Sequence, residues 1–297
     1  MGNKLFIVVF GLWFTAYVQA QIPTPCSGKL VRIEQFKSNY VTSRNIDIWQ
    51  PDLKDTNQKL AVIYMHDGQM LFDSLITWNK QEWNVDETVQ RLLNKDSIRP
   101  VLIVGIHNTP NRRREYFPNK AFDLIEDKSL ADSIKKDIGG QPLGDLYLKF
   151  IVDELKPFID SSFKVYTDKS HTYVSGASMG GLISFYALGE YPHVFSKAAC
   201  LSTHWPGSVF RNSPLLPDAF MKYAKQKFSC SVGVYFDTGT ATLDQWYGYG
   251  FNLAELTFAS FNCRLDTFVF KKFEGANHSE MAWGSRFHIP LQFLIAK

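Results

Sequence analysis

The residues best suited to chemistry in this sequence sit in "SGASMGG", where Ser178 lies between Gly176 and Gly180 in a G-x-S-x-G arrangement. A serine hydroxyl is a weak nucleophile until a neighbouring base takes its proton, and the attacked carbonyl needs N–H donors where its oxyanion forms. Small residues on either side permit a strained turn that lifts the hydroxyl above a strand end. "TYV" before the motif reads as that strand, and "GLISFYAL" after it as a helix. The amide of Met179, at the helix start, would then point toward the oxyanion. An ordinary loop serine is the bland alternative, and the strand-turn-helix context argues against it.

The base for such a serine is expected on a loop after the final strand. "FKKFEGANHSEMAW" places His278 just beyond the strand-like "LDTFVFKKF". His171 precedes the nucleophile strand, and His193 and His288 lie in helical or tail segments. His204 in "LSTHWP" suits a pocket wall but lies on the wrong loop for the base. The acid should follow the strand before the last, where "VYFDTGTATLDQW" contains Asp237 and Asp244. Asp237 is still in strand pattern, so its carboxylate can serve to tie that strand to its neighbours. Asp244 lies beyond the strand end, from which a carboxylate reaches round to an imidazole and holds its tautomer. Position favours Asp244, with Asp237 as the alternative. A second oxyanion donor is expected in "MHDGQMLFD", from the amide of Gln69 or Gly68, against the plainer reading of a chain reversal at Asp67 and Gly68.

These residues need elements to hold them. "KLAVIYMH", "RPVLIVGIH", "SHTYVSGA", "SKAACLS", "SVGVYFD" and "LDTFVFKKF" are short, continuous apolar runs, as expected for strands covered on both faces. Between them "EWNVDETVQRLLN", "GDLYLKFIVDELKPFID", "GLISFYALGEY" and "LLPDAFMKYAKQKF" carry apolar residues three and four apart. In the second of these, Leu146, Phe150, Ile151, Leu155 and Phe158 would share a helix face. The alternation predicts an α/β protein with a mostly parallel central sheet flanked by helices. "LVRIEQFKS" and "RNIDIWQP" read as an antiparallel pair on one edge. The stretch from Asn108 to Gly144 is long for a connection and reads as a binding loop or partial lid.

A chain of 297 residues with 45% hydrophobic and 21% charged content can bury one sizeable core, so residues 21–297 are expected to form one domain. The net charge of +3 is spread along the chain apart from "NRRRE", which gives no case for nucleic acid. "MGNKLFIVVFGLWFTAYVQA" at residues 1–20 has an early lysine, an apolar run and a Val18-x-Ala20 end, the pattern of a cleaved export signal. A membrane anchor is the competing reading, but Thr15, Tyr17 and Gln19 break the run, so no stable membrane span is expected after cleavage. The destination is a secreted or periplasmic one. Cys26, Cys200, Cys230 and Cys263 show no metal-ligand spacing, so no metal site is indicated. Cys230 and Cys263 each precede an apolar run, which leaves open a bridge between strand ends or two buried free thiols.

Taken together, "VIYMHDGQMLFD", "NRRREYFP", "DELKPFID", "SGASMGGLISFYAL" and "EGANHSEMAW" resemble, in this order, the esterase branch of the α/β-hydrolase superfamily. That branch holds enterobactin-type siderophore esterases, acetylxylan and feruloyl carbohydrate esterases, and mycolyltransferases. The resemblance implies the α/β-hydrolase fold, Ser178 as nucleophile, His278 as base, and the HDGQ loop with Met179 as oxyanion hole. One position departs from it: where many relatives carry the acid, three residues after Gly239, this chain has Thr242. A longer turn ending in "TLD" would restore the acid as Asp244.

The rim of such a site would carry Arg112, Arg113, Arg114, Tyr116, Trp205, Trp246 and Trp283. Aromatic faces stack on sugars or phenolic acyl groups, and an arginine pairs with a carboxylate or catechol oxygen. The bland reading packs Trp283 beneath the His278 loop and leaves two of the three arginines solvated or salt-bridged to Glu115. No phosphate-cradling or nucleotide motif appears, and no cofactor is implied. The sequence therefore predicts an exported serine esterase acting on a small-molecule or glycan ester, with an acetyl or feruloyl carbohydrate ester preferred. A siderophore esterase or an acyltransferase on the same residues is the alternative, and a non-catalytic ligand-binding homologue the remote one.

Overall fold

The computed structural model of the protein describes residues 21–207 and 214–297, so the export-signal expectation for residues 1–20 lies outside the described residues. Eight strands form one sheet: β1 (Lys29–Phe36), β2 (Arg44–Gln50), β3 (Ala61–His66), β4 (Val101–Ile106), β5 (Thr172–Ala177), β6 (Lys197–Leu201), β7 (Gly233–Thr238) and β8 (Phe268–Lys272). Their order is β1-β2-β4-β3-β5-β6-β7-β8. β1 and β2 are antiparallel, as are β2 and β4, and every later pairing is parallel.

The apolar runs are uninterrupted because both faces of the sheet are covered. β3, β4, β5 and β7 are buried at every position. Alternate residues serve opposite layers: Val62 and Tyr64 join one core, Ala61, Ile63 and Met65 the other. Burying one such aliphatic side chain is worth about 1.5–3 kcal/mol, so a polar residue on either face would cost the sheet directly.

One layer holds α2 (Arg112–Glu115), α3 (Asn119–Phe122), α4 (Lys128–Ile138), α5 (Gly144–Lys149), α6 (Lys156–Ser162), α7 (Met179–Glu190), α8 (Leu215–Lys227) and α9 (Gly248–Ala259). The other holds α1 (Val85–Asn94), α10 (Glu280–Arg286) and α11 (His288–Ile295). α7, which starts at the serine turn, is buried at each residue from Met179 to Gly189 and has no solvent face.

Three local expectations need correction. The 108–144 stretch is not an open loop but contains α2, α3 and α4, whose Leu130, Ile134 and Ile138 are buried. Their four-residue spacing was present in the sequence, bounded by an Asp127 cap that accepts from the Leu130 amide at 3.0 Å and by Gly139 at φ 88°. In "GDLYLKFIVDELKPFID", Leu146 is exposed while Tyr147, Ile151, Leu155 and Ile159 are buried. The cause is a π-helical turn over Phe150–Leu155, whose wider winding keeps residues four apart in line where an α-helix would rotate them away. Finally, Cys230 and Cys263 are joined in a disulfide, with Cα atoms 5.5 Å apart, so the two-free-thiol reading does not hold. Among the described residues no helix is long and apolar enough to cross a membrane.

The strand order prepares the site. The chain runs from β3 out to β4 and returns past β3 to β5, so the carboxyl ends of β3 and β5 are neighbours at the point where the connections reverse. Ligands of open α/β sheets bind at that crevice.

Candidate active site

Ser178 sits between β5 and α7 with φ 59° and ψ −123°, a conformation that non-glycine residues rarely adopt. Its amide donates to the Leu201 carbonyl at 3.0 Å, and its carbonyl accepts from Leu182 and His204 amides at 3.1 Å each. The first of the flanking glycines is explained by contact: a Cβ on Gly176 would lie 2.7 Å from the Gly180 carbonyl group, so the strand end can close on the helix start only without a side chain there. Met179 is the first residue of α7, and its amide is among those a helix leaves without an internal acceptor.

His278 shares the cleft with Ser178. Its Nδ1 lies 2.5 Å from Asp244 Oδ1. Asp244 Oδ2 accepts from the Ser202 hydroxyl and the Gly239 amide, both at 2.6 Å. Burial alone would raise the Asp244 pKa, but His278 and these two donors outweigh it and hold the carboxyl below its ordinary value. Gly239 allows the two loops to meet, since a Cβ there would lie 2.2 Å from the Ala276 carbonyl oxygen. Thr242 has a clear task as well: its hydroxyl accepts from the His278 amide at 2.8 Å and so ties the histidine loop down.

Asp237 is engaged elsewhere. Its carboxylate accepts from Arg286 Nε and Nη2 at 3.1 and 3.0 Å and from the Ser202 amide at 3.0 Å, all buried. Burial raises its pKa despite the arginine. The two acids meet at Ser202, whose hydroxyl also accepts from Trp283 Nε1 and Arg286 Nη2 at 3.0 Å each.

The cleft has a volume of about 530 Å³ and is lined by Ser178, His278, Gln69, Arg112, Trp78 and Trp283 among others. Gln69 belongs to the turn after β3, and Gly68 is buried beneath it. Asp67, at φ 58°, accepts from Arg112 Nε and Nη2 at 2.7 Å each and from Asn108 Nδ2 at 2.6 Å. That pairing, opposed by burial, lowers the Asp67 pKa and fixes the turn that presents Gln69.

The proposed rim is only partly brought together. Trp283 lines the cleft, edge-on to His278 with ring centroids 4.9 Å apart. Arg113 instead donates to the Asp137 carbonyl at 2.6 Å, and Arg114 to that of Gln141 at 2.9 Å. Tyr116 is fully buried, its hydroxyl accepting from the Asp67 amide at 3.2 Å, and Trp205 packs in the core against Phe185 and Phe236. Trp246 is 53% exposed and does not line the cleft. Glu115 pairs with Arg44 at 2.7 Å rather than with its neighbouring arginines. Local sequence distance misled here, because α2 points successive side chains to different sides.

Sequence reasoning missed the opposite wall: Trp78, Asn79, Gln81, Trp83 and Glu280. "TWNKQEW" is polar and aromatic without periodicity, the composition of a binding loop, and that was the available signal. It also missed the partner of His204, whose Nδ1 lies 2.5 Å from the Tyr247 hydroxyl. Among the described residues, Cys26, Asp86 and Glu87 are the group close enough to share a cation, and none of them lines the cleft.

This geometry can be set beside known proteins. The sequence profile of the family described as "Putative esterase" matches residues 39–287. The chain belongs to this esterase family. Its fold is that of the α/β-hydrolases. The esterase is 30% identical over 165 residues to "Uncharacterized protein YbbA" of Bacillus subtilis (strain 168), which covers 55% of this chain and 58% of that relative. A solved structure named ferulic acid esterase is similar with a TM-score of 0.63 at 16% identity, over 90% of this chain and 98% of its own. The enterobactin esterase FES from Shigella flexneri, in the presence of enterobactin, is similar with a TM-score of 0.66 at 17% identity, over 92% of this chain and 60% of its own. At these identities the likeness is one of fold.

Proposed function

We propose that the protein is an exported serine esterase in which Ser178, His278 and Asp244 form the catalytic triad. The observation that carries this reading is the strained serine turn opening onto the same cleft as a histidine whose far nitrogen is held by a buried carboxylate. Ser178 attacks the ester carbonyl as His278 takes its proton. The oxyanion meets the Met179 amide and the amide of Gln69 or Gly68. The alcohol leaves with the proton from His278. Water, deprotonated by the same imidazole, then releases the acid. Asp237 acts through Arg286 as a structural residue.

For the substrate, we favour a carbohydrate ester, acetyl or feruloyl. Support comes from the cleft wall, where the exposed Trp78 offers an aromatic face beside the amides of Asn79, Gln81 and Asn108, groups suited to sugar hydroxyls. Export is supported by the residue pattern of positions 1–20 and by the Cys230–Cys263 disulfide, which suits an oxidising compartment. The test is a panel of acetylated xylo-oligosaccharides, feruloylated arabinose and a catecholate-serine trilactone, assayed with the wild type and Ser178→Ala. The expected result is kcat/KM at least about tenfold higher on a sugar ester than on the trilactone. The reverse ranking would replace the carbohydrate reading with the siderophore one, and turnover surviving in Ser178→Ala would remove the triad.

A further inference from the structure

Besides His278, the cleft is lined by three ionisable side chains, Asp67, Arg112 and Glu280, and two of them cancel. Arg112 gives Nε and Nη2 to the two Asp67 oxygens at 2.7 Å each, so the arginine best placed to meet an anion is already neutralised. Arg113 and Arg114 donate to main-chain carbonyls and do not line the cleft. Glu280 is the charge that remains. Its partner is neutral, since Asn79 Nδ2 donates to Oε2 at 2.8 Å, and among the described residues no cation is paired with it.

This carboxylate is held from both sides. Glu280 opens α10 two residues after His278, and the Ser279 hydroxyl between them accepts from the Ala282 amide at 3.3 Å. Asn79 is fixed at both ends of its side-chain amide: Oδ1 accepts from the Gln81 amide at 3.1 Å while Nδ2 meets Glu280. Among the described residues Glu280 Oε1 has no donor, and the exposed ring of Trp78 borders the same cleft. A carboxylate oxygen in a cleft is hydrated until a substrate displaces that water, and the substrate must then supply donors or lose affinity. Sugar hydroxyls are such donors, and they can serve Oε1 while the apolar face of the ring lies on Trp78. A substrate carboxylate brings acceptors and like charge instead. We infer that Glu280 is a specificity-determining residue of the cleft, which favours uncharged, hydroxyl-bearing esters and turns away anionic ones. The inference rests on the triad reading, which puts the reacting serine in this cleft, and it deepens the carbohydrate reading by assigning the charge of the substrate.

Two substrate pairs test it, each read as a ratio of kcat/KM within one enzyme. The first sets methyl 4-acetoxybenzoate against 4-acetoxybenzoate, corrected for their imidazole-catalysed rates. The wild type should prefer the uncharged methyl ester at least about tenfold at low salt, and the ratio should shrink as ionic strength rises. Glu280→Gln keeps an oxygen acceptor for Asn79 but loses the charge, and should bring the ratio to within about threefold of unity, while Glu280→Lys should reverse it. The second pair sets a mono-acetylated methyl xyloside against methyl 4-acetoxybenzoate. Its ratio should fall about tenfold in Glu280→Gln, mainly through KM on the xyloside, because a hydrogen bond to a carboxylate is roughly twice as strong as one to an amide. A purely structural role would leave both ratios in place, since glutamine preserves the tie to Asn79. Ratios unchanged in folded Glu280→Gln would overturn the inference, as would a wild type that takes the free acid as readily as its methyl ester. Turnover of the aryl pair with the charge preference, but none of the xyloside, would strike the carbohydrate reading and uphold the charge selection. A folded wild type that turns over no ester would remove the esterase reading itself.

Discussion

Asp237 and Asp244 stand at the end of one strand and in the loop just beyond it, both nearly fully buried, and both hydrogen-bonded through Ser202. Their partners separate them. Asp237 faces a buried arginine, which stays charged and exchanges no proton with a substrate, so that pair can only brace β7 against α10. Asp244 faces an imidazole whose ring also borders the cleft, so its charge acts on a group that exchanges protons. The comparison teaches that burial and a paired charge do not mark a catalytic acid. What marks it is a partner that can change its protonation state within reach of the substrate.

The sharpest way to break this comparison is to neutralise each acid in turn. Asp244→Asn should lower kcat on the order of 10³- to 10⁴-fold, because the amide no longer holds the Nδ1–H tautomer. A loss under about tenfold would hand the role to another residue. Asp237→Asn should do the opposite, leaving Arg286 buried beside a neutral group at a cost of about 3–5 kcal/mol, read from denaturant unfolding, while kcat per folded molecule stays within about tenfold. A kcat loss matching that of Asp244→Asn would erase the distinction. Thr242→Ala removes the acceptor of the His278 amide and should cost about 0.5–1.5 kcal/mol, with kcat reduced several-fold as the histidine loop loosens. An unchanged kcat would make Thr242 a stability residue alone.

The smallest effect expected is in the acid limb of stability. The folded pKa of Asp244 is depressed, so its contribution is present above its unfolded pKa and is lost as pH falls through the folded one. That of Asp237 is raised, so ionising it opposes folding, and stability falls as pH rises from the unfolded toward the folded pKa. Melting temperatures followed below about pH 5 should thus lose part of their rise with pH in Asp244→Asn and gain steepness in Asp237→Asn. Parallel curves for the two variants would contradict the assignment.

Most of the sheet was legible because strands covered on both faces must be apolar throughout, and six such runs stood out. The serine turn was legible for a similar reason, as Gly176 has no room for a side chain against the Gly180 backbone. His278 and Asp244 followed from the order of elements. The far wall of the cleft did not, since Trp78 and Asn79 reach Glu280 only through the fold, where Asn79 Nδ2 donates to Glu280 Oε2 at 2.8 Å across 201 positions. The arginine run misled for the opposite reason: three adjacent side chains find three partners, Asp67, Asp137 and Gln141, and only Arg112 reaches the cleft. Tyr247 and His204 lie on different loops, and only the fold brings the Tyr247 hydroxyl to within 2.5 Å of His204 Nδ1.

The most direct test of the central claim is to label the purified, folded protein with a fluorophosphonate and map the adduct by peptide mass spectrometry. The account predicts one adduct on the peptide carrying Ser178, absent in Ser178→Ala and formed far more slowly in Asp244→Asn than in Asp237→Asn. No adduct, or an adduct on another residue, would contradict it and return Ser178 to the role of a turn residue at the end of a buried strand.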